Sequence, residues 1–330
     1  MKKIITLLCG LIFFTSQSFG QGTPSVKIFA NYNAGMGNDF KEFEIKRSYI
    51  GYSYKFADDF SAKVTFDVGS NSAGSAYTAF LKIAALNWKA SDQLSLDVGM
   101  IGTKNFKFME NAWGRRYIEK SALDKYKWAS SADAGISGTF KVSDRITLDA
   151  QMINGEGYKK TQSDGLFRTG AGVTVKLLDN ISCRLFRDNL PTANDTLAEQ
   201  IITSAALIYK QGNYNIGIEK SIMENEDHGG GFFAVNSGVN REILSMYGSM
   251  NVGEFTVFLR RDVVSTNEGD TGVEFLQSGD GTFQIFGIEK QMTKGIKVSL
   301  NMQSWQDATL EGEPEDLEAR TMFVNLECKF

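Results

Sequence analysis

Beyond its first 20 residues this 330-residue sequence lacks any apolar run near the roughly 18 residues that a membrane-crossing helix needs, so helical spans are not expected. Proline is scarce, at 3 residues, which is low for a large loop-rich secreted domain. Histidine occurs once, at His228 in ENEDHGGGFF, and no acid or nucleophile is placed to work with it. Catalysis therefore has little to build on. Of 3 cysteines, Cys9 lies in the first apolar segment. Cys183 and Cys328 are far apart and outside any metal-ligand spacing, which argues against a disulfide framework. A net charge of −4 gives no global nucleic-acid footprint. The GDTG run at 269–272 and the GGG run fit no phosphate loop, because neither joins a strand to a helix. No cofactor is implied.

What is present begins with an address. Lys2 and Lys3 precede an apolar stretch from Ile4 to Phe14 and a small polar run, SQSFG, which reads as a cleaved secretory signal over 1–20. The mature chain is expected to be 21–330, and the whole sequence is rich in Gly (33 residues) and Phe (24 residues). Its dominant signal is alternation with a period of two. In FSAKVTFDVG, Phe60, Ala62, Val64, Phe66 and Val68 share one face, and Ser61, Lys63, Thr65 and Asp67 share the other. IKVSLNMQSW repeats the pattern with Ile296, Val298, Leu300 and Met302. Sixteen such strands are expected, at 25–34, 43–56, 60–69, 77–88, 93–103, 131–141, 145–154, 166–177, 181–188, 200–210, 214–224, 241–252, 254–264, 282–291, 296–306 and 320–330. Most have the ten or so residues that cross a bilayer when tilted by about 45°.

The connections alternate in length. Tight links near 57–59, 89–92, 142–144, 178–180, 211–213, 253 and 292–295 separate longer segments, including 35–42, 104–130 and 307–319. Short periplasmic turns and long extracellular loops are the signature of an antiparallel transmembrane β-barrel. Tyr52, Tyr54, Phe56, Trp88 and Tyr209 sit beside short turns, where an aromatic girdle belongs. A soluble all-β protein would permit the alternation but not the strand lengths or this aromatic placement. Lys220 fits poorly: it shares the apolar face with Ile216, Ile218 and Ile222, which suggests a shifted register or a protein contact.

The segments FEIKRSYIGYSYKF (43–56), LDVGMIGTKNF (96–106), ENAWGRRYI (110–118) and SSADAGISGTFKVSDRITLDAQMINGEGY (130–158), with the terminal Phe330, resemble porins of the Bacteroidota related to the phosphate-selective porin O and P family. The resemblance covers most of the first half and only the strand pattern of the second. It implies a sixteen-stranded barrel, often trimeric, with the third long loop folded inward. Phosphate-selective members line the lumen with many Arg and Lys, whereas this chain has 11 Arg, so the resemblance implies a porin rather than a phosphate channel.

The segment 104–130 carries Lys104, Lys107, Arg115, Arg116, Lys120, Lys125 and Lys127 against Glu110, Glu119 and Asp124, a local +4 in an acidic chain. RYIEKSALDKYKW is expected to form a short helix that docks on the wall through Tyr117, Ile118, Ala122 and Leu123. Folded into the barrel, such a loop narrows the channel, and Arg and Lys there favour anions. The expected constriction is Lys104, Lys107, Arg115 and Arg116 facing the inward-phase Arg47, Arg168, Arg184 and Arg260, with Lys63, Lys82 and Lys176 in the same phase. Against this, bulky residues at positions read as inward (Tyr49, Phe186, Phe258, Ile288) suit a non-conducting scaffold of an outer-membrane complex. The acidic loop with Asp307, Glu311, Glu313, Glu315, Asp316 and Glu318 has no regular metal-ligand spacing and reads as a solvated rim. The expected partners are outer-membrane lipid and lipopolysaccharide, the barrel-assembly machinery through Phe330, and two further copies in a homotrimer.

Overall fold

The computed structural model describes residues 22–70, 77–192, 198–225, 239–268, 279–308 and 319–330. The signal segment, His228, the GDTG run and most of the acidic loop lie outside them. Sixteen antiparallel strands close into one barrel. The first eight are β1 Gly22–Met36, β2 Lys41–Lys55, β3 Phe60–Ser70, β4 Tyr77–Lys89, β5 Leu94–Gly102, β6 Ala132–Lys141, β7 Ile146–Ile153 and β8 Arg168–Leu178. The second eight are β9 Ile181–Leu190, β10 Gln200–Gln211, β11 Tyr214–Glu224, β12 Val239–Val252, β13 Phe255–Glu268, β14 Gly281–Thr293, β15 Ile296–Asp307 and β16 Ala319–Lys329. Every expected strand is present, with ends within four residues of those read from the alternation.

Each strand pairs with its chain neighbours, and β1 pairs with β16. Val26 and Phe330 exchange both backbone hydrogen bonds, at 2.8 and 3.1 Å, and so complete the last rung of that seam. Closure leaves no strand edge, which satisfies the backbone without water. Two of the tight turns, at 212–213 and 253–254, place Gly212 (φ 55°) and Gly253 (φ 60°) first, the positive φ that a type II′ hairpin requires. One connection is shorter than expected. The segment read as a loop over 35–42 shrinks to 37–40, because Gly37 turns the chain at φ 97° and the Gly35 amide donates to the Phe40 carbonyl at 3.0 Å.

The alternation sorts side chains as period two demands. Val64, Leu86, Val98, Leu148, Leu185 and Leu259 stand exposed on the outer wall as a lipid-facing band. Near the periplasmic rim, Phe60 stacks on Trp88 with ring centroids 5.8 Å apart. Asp67, Asp133, Arg184, Glu219 and Asp262 are buried inside. Ile288 corrects the expectation of an inward side chain. Its register partners, Val257 and Leu300, both face out, and Ile288 is exposed with them. Phe283 and Ile285 take the inward places on β14. Lys220 points outward with no slip, since β11 pairs with both neighbours without interruption. Cys183 and Cys328 are free thiols on β9 and β16.

Candidate functional site: the lumen and its inward loop

The β5–β6 connection, 103–131, occupies the lumen. Its two ends are zipped together, with the Thr103 hydroxyl donating to the Ser130 carbonyl at 2.8 Å. Helix α1, Lys104–Trp113, ends where Gly114 adopts φ 69° and its amide returns to the Glu110 carbonyl. A single turn, α2 Ala122–Lys125, follows. The helix expected over 116–128 is therefore shorter than the sequence suggests, and the longer one lies earlier. Its apolar spacing (Phe108, Met109, Ala112, Trp113) places one face on the wall.

Two apolar clusters hold the loop. Met109, Ala122, Leu123 and Trp128 pack on Ile202, Met223, Ile243 and Val264. Trp113, Tyr117 and Ile118 pack on Tyr247, Phe258, Phe283 and Ile285, and on Phe29 of β1. Each fully buried large apolar side chain contributes about 1.5–3 kcal/mol, so burial of this face favours the docked loop. Gly217 makes room for it: Tyr247 lies directly opposite in register, and a Cβ at 217 would stand 2.3 Å from its ring. Polar ties complete the attachment. The Tyr117 hydroxyl donates to Glu289 at 2.7 Å, the Tyr126 hydroxyl to Asp262 at 3.0 Å, and the Lys46 ammonium to the Ile118 carbonyl at 2.8 Å. Burial pushes the Glu119 carboxyl up, but Lys46, Lys125 and the Lys120 amide outweigh it and hold its pKa below the ordinary 4.5.

With the β10–β14 side filled, open space remains against β2–β8. A periplasmic vestibule of about 900 Å³ and an extracellular vestibule of about 610 Å³ share Lys82, Thr103 and Ser131 in their walls. The neck is built on β-bulges. Lys46 is the extra residue of β2 opposite Phe29 and Ala30, and Lys82 the extra residue of β4 opposite Thr65 and Phe66. A bulge re-aims side chains at such a point. Arg47 donates to Asp67 at 3.0 Å, the Tyr158 hydroxyl donates to Asp67 at 2.7 Å, and Lys82 lies 3.8 Å from the same carboxylate. Lys82 also sits over the rings of Tyr49 and Tyr158, at 5.0 and 5.2 Å. Eight basic and four acidic side chains line the extracellular vestibule, and seven basic and five acidic line the periplasmic one.

The residues singled out in the sequence divide into two sets. Lys104 and Lys107 line the periplasmic vestibule, and Arg47, Arg116 and Arg168 line the extracellular one. Lys104 reaches Asp97 at 3.2 Å, Arg116 reaches Glu110 and Asp124 at 3.2 and 3.3 Å, and Arg168 reaches Asp188 at 2.7 Å. Arg115, Arg184 and Arg260 border neither cavity. Arg115 is buried with its guanidinium 4.9 Å from the Phe258 ring centre and 3.9 Å from Glu289. Arg184 grips Asp149 at 2.7 and 2.8 Å and donates to the Lys104 carbonyl at 3.0 Å, which pins the start of α1. Arg260 binds Asp262 and the Lys120 carbonyl. Tyr158, Lys159 and Lys160 line the extracellular vestibule, with Asp67 buried behind Arg47 and Tyr158, and none of the four was singled out as a site residue in the sequence. An inward Asp in phase with Lys63 was the only hint.

No protein-family model and no curated protein sequence matches the chain. Solved structures do match. OmpT of Vibrio cholerae with its loop L8 deleted, an outer membrane protein, superposes with a TM-score of 0.65 at 12% identity, covering 94% of this chain and 100% of that one. The outer membrane channel DcaP of Acinetobacter baumannii gives 0.65 at 12%, covering 94% and 97%. OmpF of Salmonella typhi, in complex with daunomycin, gives 0.64 at 10%, covering 94% and 97%. The chain thus has the closed sixteen-stranded barrel fold of outer-membrane porins.

Proposed function

We propose that the protein is a diffusion porin of the outer membrane, passing small hydrophilic solutes with a preference for anions. The observation that carries this reading is the pair of vestibules meeting at Lys82 beside the docked loop. A solute crossing there meets a majority of basic groups between low-dielectric walls, which focus the field and raise the local concentration of anions. In this reading Lys104, Lys107, Arg47, Arg116 and Arg168 shape the passage, and Arg115, Arg184 and Arg260 hold the docked loop that bounds it. The specificity is for charge and size, as among the described residues no single buried site with a fixed ligand geometry faces the passage.

The filled β10–β14 half of the lumen favours a second reading, a closed barrel that serves as a scaffold in an outer-membrane complex. Purified protein in a planar bilayer separates the two. Discrete conducting steps support the porin, and inserted protein that never conducts supports the scaffold. A homotrimer is favoured by a tall apolar sector on the outer wall, where Phe43 is 87% exposed above Ile45 and Ile50. A structural neighbour, OmpT of Vibrio cholerae, is known in a trimer form. Residues 1–20 act as the export signal, and Phe330, closing the last strand, acts as the assembly signal.

A further inference from the structure

The two vestibules differ in how well their walls are satisfied. Three uncharged side chains of the extracellular wall each keep a buried polar atom without a hydrogen-bond partner: Oδ1 of Asn105, Nε1 of Trp128 and Nε2 of Gln151. Among the described residues no side chain of the periplasmic wall keeps such an atom. All three residues are more than nine-tenths buried, at 1%, 6% and 5% exposure. The Lys104 amide donates to Oε1 of Gln151 at 2.6 Å, which orients the carboxamide and leaves Nε2 to another acceptor. Trp128 is held by its ring, in the cluster with Met109, Leu123 and Ile202. Charged groups of the same wall with an unpartnered atom, Arg116, Asp124, Glu156 and Asp188, are each engaged through their other atoms. A buried polar atom left unpaired is costly, so each of the three uncharged ones calls for a partner from the vestibule. Two donors and one acceptor without charge are the complement of hydroxyl groups, which accept and donate alike.

Lys127, next to Trp128 in the chain, lines the same space. The Trp128 amide donates to the Leu123 carbonyl at 3.0 Å and the Lys127 amide to the Asp124 carbonyl at 3.4 Å. These are the paired bonds of a Schellman cap at the end of α2. Lys127 has φ 61° and so occupies the left-handed place in that cap which glycine fills at least cost. Its side chain is exposed, and among the described residues its ammonium makes no ion pair. The cap thus gives up the easier residue and sets an unpaired cation beside the buried indole N–H. One ammonium next to uncharged donors and an acceptor suits a solute with a single carboxylate and several hydroxyls.

We propose that the extracellular vestibule binds polyhydroxylated carboxylates, the class of the uronic and aldonic acids. Lys127 takes the carboxylate, and Asn105, Trp128 and Gln151 meet the hydroxyls without fixing a single pose. The inference rests on the reading of the lumen as a solute passage and adds hydroxyl recognition to its selection for charge and size. The test titrates the protein, residues 21–330 folded in detergent, with glucuronate, glucose and propionate by isothermal titration calorimetry. Binding is measured without a bilayer, so failure of the passage, seen as a barrel that never conducts, is recorded separately. Glucuronate binds about tenfold more tightly than glucose or propionate. Trp128→Phe keeps the ring packing and loses the N–H; it weakens glucuronate and glucose alike by about fivefold and leaves propionate unchanged. Lys127→Gly relaxes the cap, so the barrel folds at least as well as wild type by heat-induced gel shift, yet it binds glucuronate about tenfold more weakly and glucose nearly as before. Propionate or glucose bound as tightly as glucuronate overturns the proposal. So does glucuronate binding that is unaltered in Trp128→Phe, which assigns the buried polar atoms to ordered water, or unaltered in Lys127→Gly.

Discussion

Tyr117 in the inward loop and Glu289 on β14 lie 172 residues apart in sequence and share a 2.7 Å hydrogen bond inside the barrel. That bond ties the inward loop to the barrel wall. Tyr117→Phe keeps the ring in its apolar cluster and removes only the donor. It is expected to destabilise the docked loop by about 1–3 kcal/mol, since the buried Glu289 loses a partner. Single-channel records of the variant are expected to show more open-state noise at unchanged mean conductance; a trace as quiet as wild type would assign the loop's hold to packing alone.

Gly217 tests the packing directly. Valine there collides with the Tyr247 ring, which packs on Trp113 with centroids 5.6 Å apart. The expected cost is about 1–3 kcal/mol of overpacking. It is read as a lower temperature for the heat-induced gel shift of the folded barrel and as a red shift of tryptophan emission. An unshifted midpoint would mean that the loop does not rest on Tyr247.

Acidification probes Glu119. Its folded pKa lies below 4.5, so the stability it lends is present above pH 4.5 and is lost as pH falls through the folded value. Loop docking is therefore expected to be constant from neutral pH down to the carboxylate range and to weaken below it. Emission of Trp113 and Trp128 across an acid titration reports this, with Glu119→Gln as the variant whose profile loses that acid limb. An identical limb in both proteins would place the acid sensitivity elsewhere.

The fold was legible because period two survives end to end: Phe60 to Val68 and Ile296 to Met302 announce their faces without help from tertiary structure. The docking stripe Tyr117, Ile118, Ala122 and Leu123 was legible too, as apolar residues in a charged loop. The helix position was not, since RYIEKSALDKYKW has helical spacing, while α1 is selected by the wall that Met109 and Trp113 cover. The split among the arginines was hidden for a similar reason. Alternation says that Arg184 and Arg260 point inward, but only the docked loop decides whether they meet water or a carbonyl. The bulge was hidden: Lys82 was expected to face inward, but nothing in the sequence marks it as the extra residue of β4.

Phe330 closes the seam with Val26 and presents an exposed ring at the rim. Phe330→Asp is expected to reduce the amount of heat-modifiable barrel in the outer membrane severalfold while leaving the conductance of the assembled fraction unaltered. Equal amounts of folded wild type and variant would remove Phe330 from any role in assembly.

Reversal potential in a potassium chloride gradient tests the basic passage most directly. Wild type is expected to reverse on the chloride side of zero. Lys82→Glu combined with Lys107→Glu changes the lining charge by four, at the neck and at the periplasmic vestibule, and is expected to move the reversal potential toward the potassium side. Arg261→Gln on the outer wall is expected to leave it unchanged. A wild-type channel selective for potassium, or a Lys82/Lys107 variant indistinguishable from wild type, would contradict an ion path between the docked loop and the β2–β8 wall.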